Sequence, residues 1–274
     1  MQLKLGMHSF AEPVVMGILN VTPDSFSDGG LFIGKQAAIT RVRQMIAEGA
    51  GIIDIGGEST RPGAQAVSIE EELARVIPVI EAVRAESDIP ISVDTSKPQV
   101  MTAAIQAGAS MINDVRALRE PGALEAAAEL KVPVCLMHMQ GEPRSMQAEP
   151  QYQNVVDEVL EFLLQRVACC EAAGISRESL MIDPGFGFGK TLQHNLALFH
   201  DLQRFVATGL PLLVGVSRKS MIGEVLDIPV EERMPVSVAL AGLAAWMGAA
   251  IIRVHDVQPT AHAVKMCQAI KNTP

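Results

Sequence analysis

The sequence predicts an α/β protein that folds as a closed (β/α)₈ barrel, and three observations support this class. Eight short apolar runs recur along the chain, with helix-like patterns between them. Polar or charged residues directly follow these runs. The chain has 274 residues, of which 49% are hydrophobic, and this suits one large domain over residues 1–274.

The eight apolar runs are predicted strands of a parallel sheet, because continuous apolar runs indicate burial on both faces. A doubly wound open sheet is the alternative fold. Eight successive strand–helix units without a nucleotide-binding fingerprint favour the barrel. The predicted strands are residues 14–19, 52–55, 91–93, 111–112, 134–137, 180–182, 212–216 and 251–254.

Helix start and stop signals lie between these strands. Residues 68–71 form a capping box, and apolar residues follow at helical spacing over residues 73–83. Pro78 interrupts that helix and predicts a kink. Helix ends are predicted at four glycines, Gly49, Gly108, Gly174 and Gly248.

A weak internal repeat supports the barrel. Residues 49–54, 108–113 and 248–253 share one layout: Gly-Ala, then apolar residues, then a polar residue at the same offset. Repeated units of this kind predict a helix end, a turn and a strand. In a (β/α)₈ barrel the functional side chains lie at the C-terminal ends of the strands.

Composition excludes several classes of function. The net charge is −9 and no basic block is present, which argues against a nucleic-acid partner. No secretory signal or membrane-spanning apolar stretch is recognised. The cysteines lack metal-ligand or redox spacing, and we expect free thiols in a reducing cytoplasm. They are Cys135, Cys169, Cys170 and Cys267.

A glycine-rich stretch over residues 183–191 follows the sixth strand. A phosphate-binding P-loop would need glycine where Pro184 stands, and a dinucleotide fingerprint would need glycine in place of Lys190. Both patterns fail by one residue. Taken alone, the stretch is typical of a glycine-rich surface turn in which Asp183 caps a helix. Because other strand ends of this chain carry similar residues, it instead predicts a tight turn that holds Asp183 at a strand end, where its carboxylate can bind the edge of a flat polar heterocycle.

The strand-end residues divide into two predicted subsites. Buried charges are costly unless they are paired or used, so several of them on one barrel face indicate a binding site. A deep polar ring suits a pterin-like heterocycle and consists of Asp94, Asn113, Asp183 and Lys219. A shallower group suits an anion such as pyrophosphate and consists of Asn20, Arg61, Arg253 and His255. His138 is expected to pack rather than to act in catalysis.

Residues 17–30 and 54–63 resemble the two signature motifs of the dihydropteroate synthases. The resemblance extends over essentially the whole chain. It continues through residues 93–95, 113–114, 183–190, 217–220 and 253–256. It implies a TIM barrel, usually a homodimer, that joins 6-hydroxymethyl-7,8-dihydropterin diphosphate to 4-aminobenzoate in folate biosynthesis.

The resemblance also implies roles for individual residues, with Asn20 binding Mg²⁺. The pterin diphosphate would contact Thr60, Asp94, Asn113, Asp183, Lys219, Arg253 and His255. The 4-aminobenzoate pocket, which sulfonamides would also occupy, would comprise Phe26, Thr60, Arg61, Pro62, Ser217 and Lys219. The residues expected to act in catalysis are Asp94, Lys219, Arg253 and His255.

Two alternative functions share a pterin site. One is a methyltetrahydrofolate-binding methyltransferase with a corrinoid partner, but residues 22–27 and 217–219 argue against it. The other is a pterin-binding protein without catalytic activity, and the intact anion-binding residues argue against that.

Overall fold

The computed structural model describes residues 3–21, 30–59, 66–141, 146 and 149–273. Its first two strands, β1 (Leu3–Leu5) and β2 (His8–Phe10), form an antiparallel hairpin that the sequence patterns did not predict. Eight further strands of the described chain form one parallel sheet. They are β3 (Val14–Asn20), β4 (Ile52–Gly56), β5 (Ile91–Asp94), β6 (Met111–Asp114), β7 (Val134–Met137), β8 (Leu180–Asp183), β9 (Leu213–Val214) and β10 (Ile251–Val254).

The parallel sheet is a closed barrel, which confirms the predicted fold. Strand pairing runs from β8 down to β3, then to β10 and β9. A bridge between Ile182 and Leu212 joins β8 to β9 and completes the circle. All eight predicted strands are present. Several extend past their apolar run because the following polar residue still pairs, as Asp94 does with Asn113.

Helices separate the strands and cover the outside of the barrel. The four predicted helix-ending glycines all have positive φ, between 92° and 111°. The Ser68 hydroxyl accepts a hydrogen bond from the Glu71 amide, and the helix continues through Pro78. In the described ranges no helix could cross a membrane. The helices are α1 (Gly30–Ala47), α2 (Ile69–Arg84), α3 (Pro98–Gln106), α4 (Ala123–Leu130), α5 (Val155–Ala172), α6 (Leu192–His200), α7 (Leu202–Val206), α8 (Ser220–Leu226), α9 (Met234–Met247) and α10 (Val257–Lys271).

Alternate residues of each strand point into the barrel, and this places the polar residues in one layer. The lower interior layer is apolar and packs against Leu3 and Leu5 of the hairpin, which closes the N-terminal end. One step of two residues further along the strands, the interior becomes polar. Ile52 is thus followed by Asp54, Met111 by Asn113, Met181 by Asp183 and Ile251 by Arg253.

Candidate active site

Arg253 lies at the centre of the polar layer and joins two carboxylates from other strands. Its Nε is 2.6 Å from Oδ2 of Asp54, and its Nη2 is 2.7 Å from Oδ2 of Asp94. The Asn113 amide also donates to Oδ2 of Asp54, at 3.3 Å. The structure therefore brings Asp94 and Asn113 of the predicted deep ring together, joined through Asp54 and Arg253. Arg253, which was predicted in the separate, shallower anion subsite, lies in direct contact with this ring.

Burial changes the charge balance of this cluster. It raises the pKa of Asp94 to about 7, although the nearby Arg253 acts in the opposite direction. Burial also acts to lower the pKa of the Arg253 guanidinium. The negative charges of Asp54 and Asp94 have the larger effect, so the pKa is raised. Arg253 is consequently a permanent cation, whereas Asp94 can exchange a proton near neutral pH.

Asp183 lies at the start of the glycine-rich turn. Its Oδ1 accepts the Gly185 amide hydrogen at 2.7 Å. Burial raises the pKa of Asp183, while the Gly185 amide and the ammonium of Lys219 lower it. Gly185 has a φ of 71°, and a Cβ atom there would lie 2.0 Å from the carbonyl oxygen of His138. Only glycine can therefore bring the backbone this close.

The buried side chain of Lys190 stabilises the glycine-rich turn. Its Nζ is 2.9 Å from the Gly185 carbonyl, 3.0 Å from the Phe188 carbonyl and 3.0 Å from Nδ1 of His138. Burial lowers the pKa of Lys190 to about 7 and the pKa of His138 to about 2. His138 is therefore a neutral acceptor in the scaffold, in agreement with the expectation that it packs.

Lys219 and His255 follow the last two strands, β9 and β10, each between its strand and the next helix. The Lys219 ammonium is 4.3 Å from the centre of the Phe188 ring, and burial lowers its pKa to about 8. Oγ of Ser217 is 3.0 Å from Nδ1 of His255. Burial lowers the pKa of His255 to about 4, so this imidazole is neutral at pH 7.

Asn20 ends β3 and pairs with Gly56 of β4, at the same end of the barrel as the other site residues. Its amide oxygen is a hard donor of the kind that Mg²⁺ prefers. Within the described chain, no three His, Cys, Asp or Glu side chains are grouped to hold a metal. The remaining predicted site residues lie outside the described residues: Phe26, Thr60, Arg61 and Pro62.

Sequence reasoning assigned no role to Asp54 or Lys190, although both are buried in the site. A signal for Asp54 was available, because it stands two positions after the inward-facing Ile52. Lys97 was likewise passed over. Its ammonium binds the carboxylates of Glu58 and Glu72, and so ties the segment after β4 to α2.

The chain matches known proteins along nearly its whole length. The pterin binding enzyme family matches residues 16–255. Dihydropteroate synthase of Escherichia coli (strain K12) is 56% identical over 259 residues, which is 94% of this chain and 92% of that protein.

Solved structures agree with this match. The Yersinia pestis dihydropteroate synthase in complex with a sulfonamide drug has a TM-score of 0.95 and 50% identity, and covers 100% of both chains. The Xanthomonas albilineans enzyme with 4-aminobenzoic acid has a TM-score of 0.94 and 51% identity, covering 100% of this chain and 99% of that one. Its complex with 7,8-dihydropteroate has a TM-score of 0.90, 48% identity and full coverage of both chains. The chain therefore belongs to the dihydropteroate synthases, within the pterin-binding enzyme family.

Proposed function

We propose that this chain, as a single pterin-binding barrel domain, condenses 6-hydroxymethyl-7,8-dihydropterin diphosphate with 4-aminobenzoate. The products are 7,8-dihydropteroate and pyrophosphate, a step of folate biosynthesis. The observation that carries this proposal is the buried layer of carboxylates, amide and cations around Arg253. Support comes from the Xanthomonas complexes with 4-aminobenzoic acid and 7,8-dihydropteroate.

The pterin ring would occupy the deep polar layer. Asp94 and Asp183 can accept hydrogen bonds from the N–H groups of the ring, and Asn113 can both donate and accept. Lys219, with its pKa lowered to about 8, remains mostly protonated at pH 7 and can donate to a ring oxygen or nitrogen. Ser217 and Lys219 would border the 4-aminobenzoate, together with Phe26, Thr60, Arg61 and Pro62.

The diphosphate would lie against Arg253 and His255. Two of the five N–H donors of Arg253 bind carboxylates, which leaves three for phosphate oxygens. His255 is neutral, and its Nδ1 faces the Ser217 hydroxyl. If that hydroxyl donates to Nδ1, the ring proton lies on Nε2 and can be donated to a phosphate oxygen.

Mg²⁺ would be held by the amide oxygen of Asn20 together with phosphate oxygens of the substrate. When bound, the ion would neutralise charge on the departing pyrophosphate. Because Asn20 supplies one neutral ligand, we expect Mg²⁺ to strengthen binding of the pterin diphosphate but not of phosphate-free pterin. Calorimetry with both ligands tests this. Equal Mg²⁺ dependence for the two would contradict the assignment.

The residues suit a mechanism in which ionisation comes first. The bond from the exocyclic carbon to oxygen breaks, and pyrophosphate leaves with the electron pair while Arg253 and His255 stabilise its charge. The Asp94 carboxylate stabilises the resulting cation, which is conjugated with the dihydropterin ring. The amine of 4-aminobenzoate then forms the new C–N bond and loses a proton, so the enzyme needs no nucleophile of its own.

Release of pyrophosphate from the pterin diphosphate, with and without 4-aminobenzoate, tests the activity. We expect stoichiometric pyrophosphate and dihydropteroate when both substrates are present, and a large loss of rate in Arg253→Gln. A sulfonamide should compete with 4-aminobenzoate, and the Yersinia pestis enzyme is known in complex with a sulfonamide drug. Tight pterin binding without turnover would instead favour a non-catalytic pterin-binding protein.

We also propose a cytoplasmic homodimer. The four cysteines are free, which suits a reducing compartment. Helices α9 and α10 expose Leu243, Trp246, Met266 and Ile270, each between 46% and 61% accessible, and a second copy could cover them. Sedimentation should show a dimer that Leu243→Asp dissociates and that Val225→Asp, at an exposed apolar site on α8, leaves intact. A monomeric wild-type protein would refute the dimer.

A further inference from the structure

Asp54 joins the two proposed subsites. Its side chain is fully buried, and one carboxylate oxygen accepts hydrogen bonds from both Arg253 and Asn113. The other oxygen, Oδ1, is buried without a partner among the described residues. A buried carboxylate of this kind needs its cation, because removing one partner of a buried ion pair leaves an uncompensated charge.

Asp94 has a different relation to the same guanidinium. It binds Arg253 through the other nitrogen, Nη2, and its side chain is 9% exposed, whereas that of Asp54 is 0% exposed. Burial raises the pKa of Asp94 to about 7. In the proposed function Asp94 also has a second partner, the pterin ring, whereas Asp54 contacts only protein groups.

We propose that Asp54 is a positioning residue that keeps Arg253 in the anion subsite throughout the reaction. Asp94, in contrast, releases the Arg253 guanidinium and binds the pterin ring instead. This inference rests on the proposed function, in which Arg253 binds the diphosphate. Asp54 holds Nε and thereby fixes the plane of the guanidinium, so that its free donors face the phosphates. By accepting the Asn113 amide hydrogen, Asp54 also directs the amide oxygen of Asn113 away from itself.

Two isosteric variants that each remove one carboxylate from the same guanidinium test this. Calorimetry would measure pyrophosphate with Mg²⁺, and separately phosphate-free 6-hydroxymethylpterin. We expect Asp54→Asn to weaken pyrophosphate binding about tenfold or more, because the charge that pairs with Arg253 is lost. Pterin binding should weaken less than about threefold, because the amide oxygen of the variant can still accept the Asn113 hydrogen bond. We expect Asp94→Asn to do the reverse, with pyrophosphate unchanged or bound more tightly. A purely structural role for Asp54 would weaken both ligands alike.

The proposal is overturned if Asp54→Asn binds pyrophosphate as wild type does, or loses both ligands equally. Arg253→Gln separates this failure from a failure of the proposed function. If Arg253→Gln keeps wild-type pyrophosphate affinity, the anion subsite is wrong and the inference falls with it. If only Arg253→Gln loses affinity, the inference about Asp54 alone is wrong.

A measurement on the unmodified protein covers the case in which Asp54→Asn does not fold. The Nε–H of Arg253, assigned by its loss in Arg253→Lys, can be followed by arginine side-chain NMR. We expect this proton to stay protected from solvent exchange when pyrophosphate and then pterin are added. Loss of protection on either addition would show that Asp54 releases the guanidinium, which overturns the proposal.

Discussion

At the scale of single residues, burial determines which groups of the site carry charge. Asp94 and Lys190 both have a pKa moved to about 7, in opposite directions from their ordinary values. The cause is the same in each case, because a low-dielectric interior disfavours the charged form. Arg253 stays charged in the same interior because two carboxylates face it.

The carboxylate of Asp183 is expected to serve ligand binding more than folding. Asp183→Asn keeps an oxygen that can accept the Gly185 amide, so the free energy of unfolding should change little. The pterin should nevertheless bind at least about tenfold more weakly. A carboxylate offers a second, charged acceptor oxygen to the ring, whereas the amide has an NH₂ donor in that place. Calorimetry and thermal unfolding measure the two effects. Asp157→Asn, on the exposed surface of α5, is the control, and a pterin affinity near wild type in Asp183→Asn would disprove the assignment.

His138 should make the protein sensitive to acid. Its pKa is about 2 in the folded protein and about 6.5 in an unfolded chain. Below pH 6.5 the unfolded chain therefore binds a proton that the folded protein does not. The free energy of unfolding consequently decreases as the pH is lowered. Between pH 7 and pH 5, His138 should lower the free energy of unfolding by about 2 kcal/mol.

The variant His138→Asn isolates this effect. Its amide oxygen can still accept the Lys190 ammonium, but the side chain does not titrate. Denaturant unfolding at pH 7 and pH 5 should show a smaller loss of stability in the variant than in the wild type. Parallel pH profiles for the two proteins would mean that His138 is protonated in the folded state.

At the scale of elements, the glycine-rich turn after β8 shows how backbone geometry supports the site. Lys190 binds the carbonyls of Gly185 and Phe188 as well as His138 at the end of β7. The same turn presents the Phe188 ring to Lys219. One buried ammonium therefore fixes the turn that follows Asp183 and that carries Phe188, the ring that Lys219 contacts.

Two glycines with positive φ offer a matched test of this geometry. A Cβ at Gly185 would lie 2.0 Å from a backbone carbonyl, whereas Gly174 has no atom within 4 Å of its Cβ position. Gly174→Ala should cost about 1 kcal/mol for its backbone conformation alone. Gly185→Ala should cost at least about 3 kcal/mol and also weaken pterin binding. Equal losses in chemical denaturation would mean that the turn relaxes around the added methyl group.

At the scale of the whole molecule, the barrel separates stability from function along its axis. The hairpin β1–β2 closes the N-terminal end with Leu3 and Leu5, while the site lies at the C-terminal end. The apolar layer between them isolates one end from the other. Changes at the closed end should therefore alter stability without altering substrate affinity.

Leu5 provides the test, because its side chain is completely buried. Leu5→Ala should lower the free energy of unfolding by about 2–5 kcal/mol through the lost contacts and the cavity left behind. The Michaelis constants for both substrates should stay at wild-type values. Met7→Ala is the control, since Met7 is 90% exposed and should contribute little. A raised Michaelis constant in Leu5→Ala would show that the two ends are coupled.

The barrel and most of the polar layer could be predicted from the sequence. Each apolar run indicates a buried strand, and the polar residue after it marks the end of that strand. The contact between Asp54 and Arg253 could not, since it joins residues 199 positions apart and depends on strand order around the closed barrel. The role of Lys190 depends on the path of a turn. The hairpin was missed because strands of three residues are too short to show alternation.

The junction between β8 and β9 has a consequence for how the substrate stabilises the protein. A single bridge between Ile182 and Leu212 closes the barrel there, and β9 is only two residues long. Asp183 ends β8 and Lys219 follows β9. A pterin bound to both side chains would therefore hold these two strands together. Hydrogen exchange should then slow most at the Ile182 amide, which donates to Pro211 across this junction. The substrate would in this way stabilise the weakest junction of the barrel that binds it.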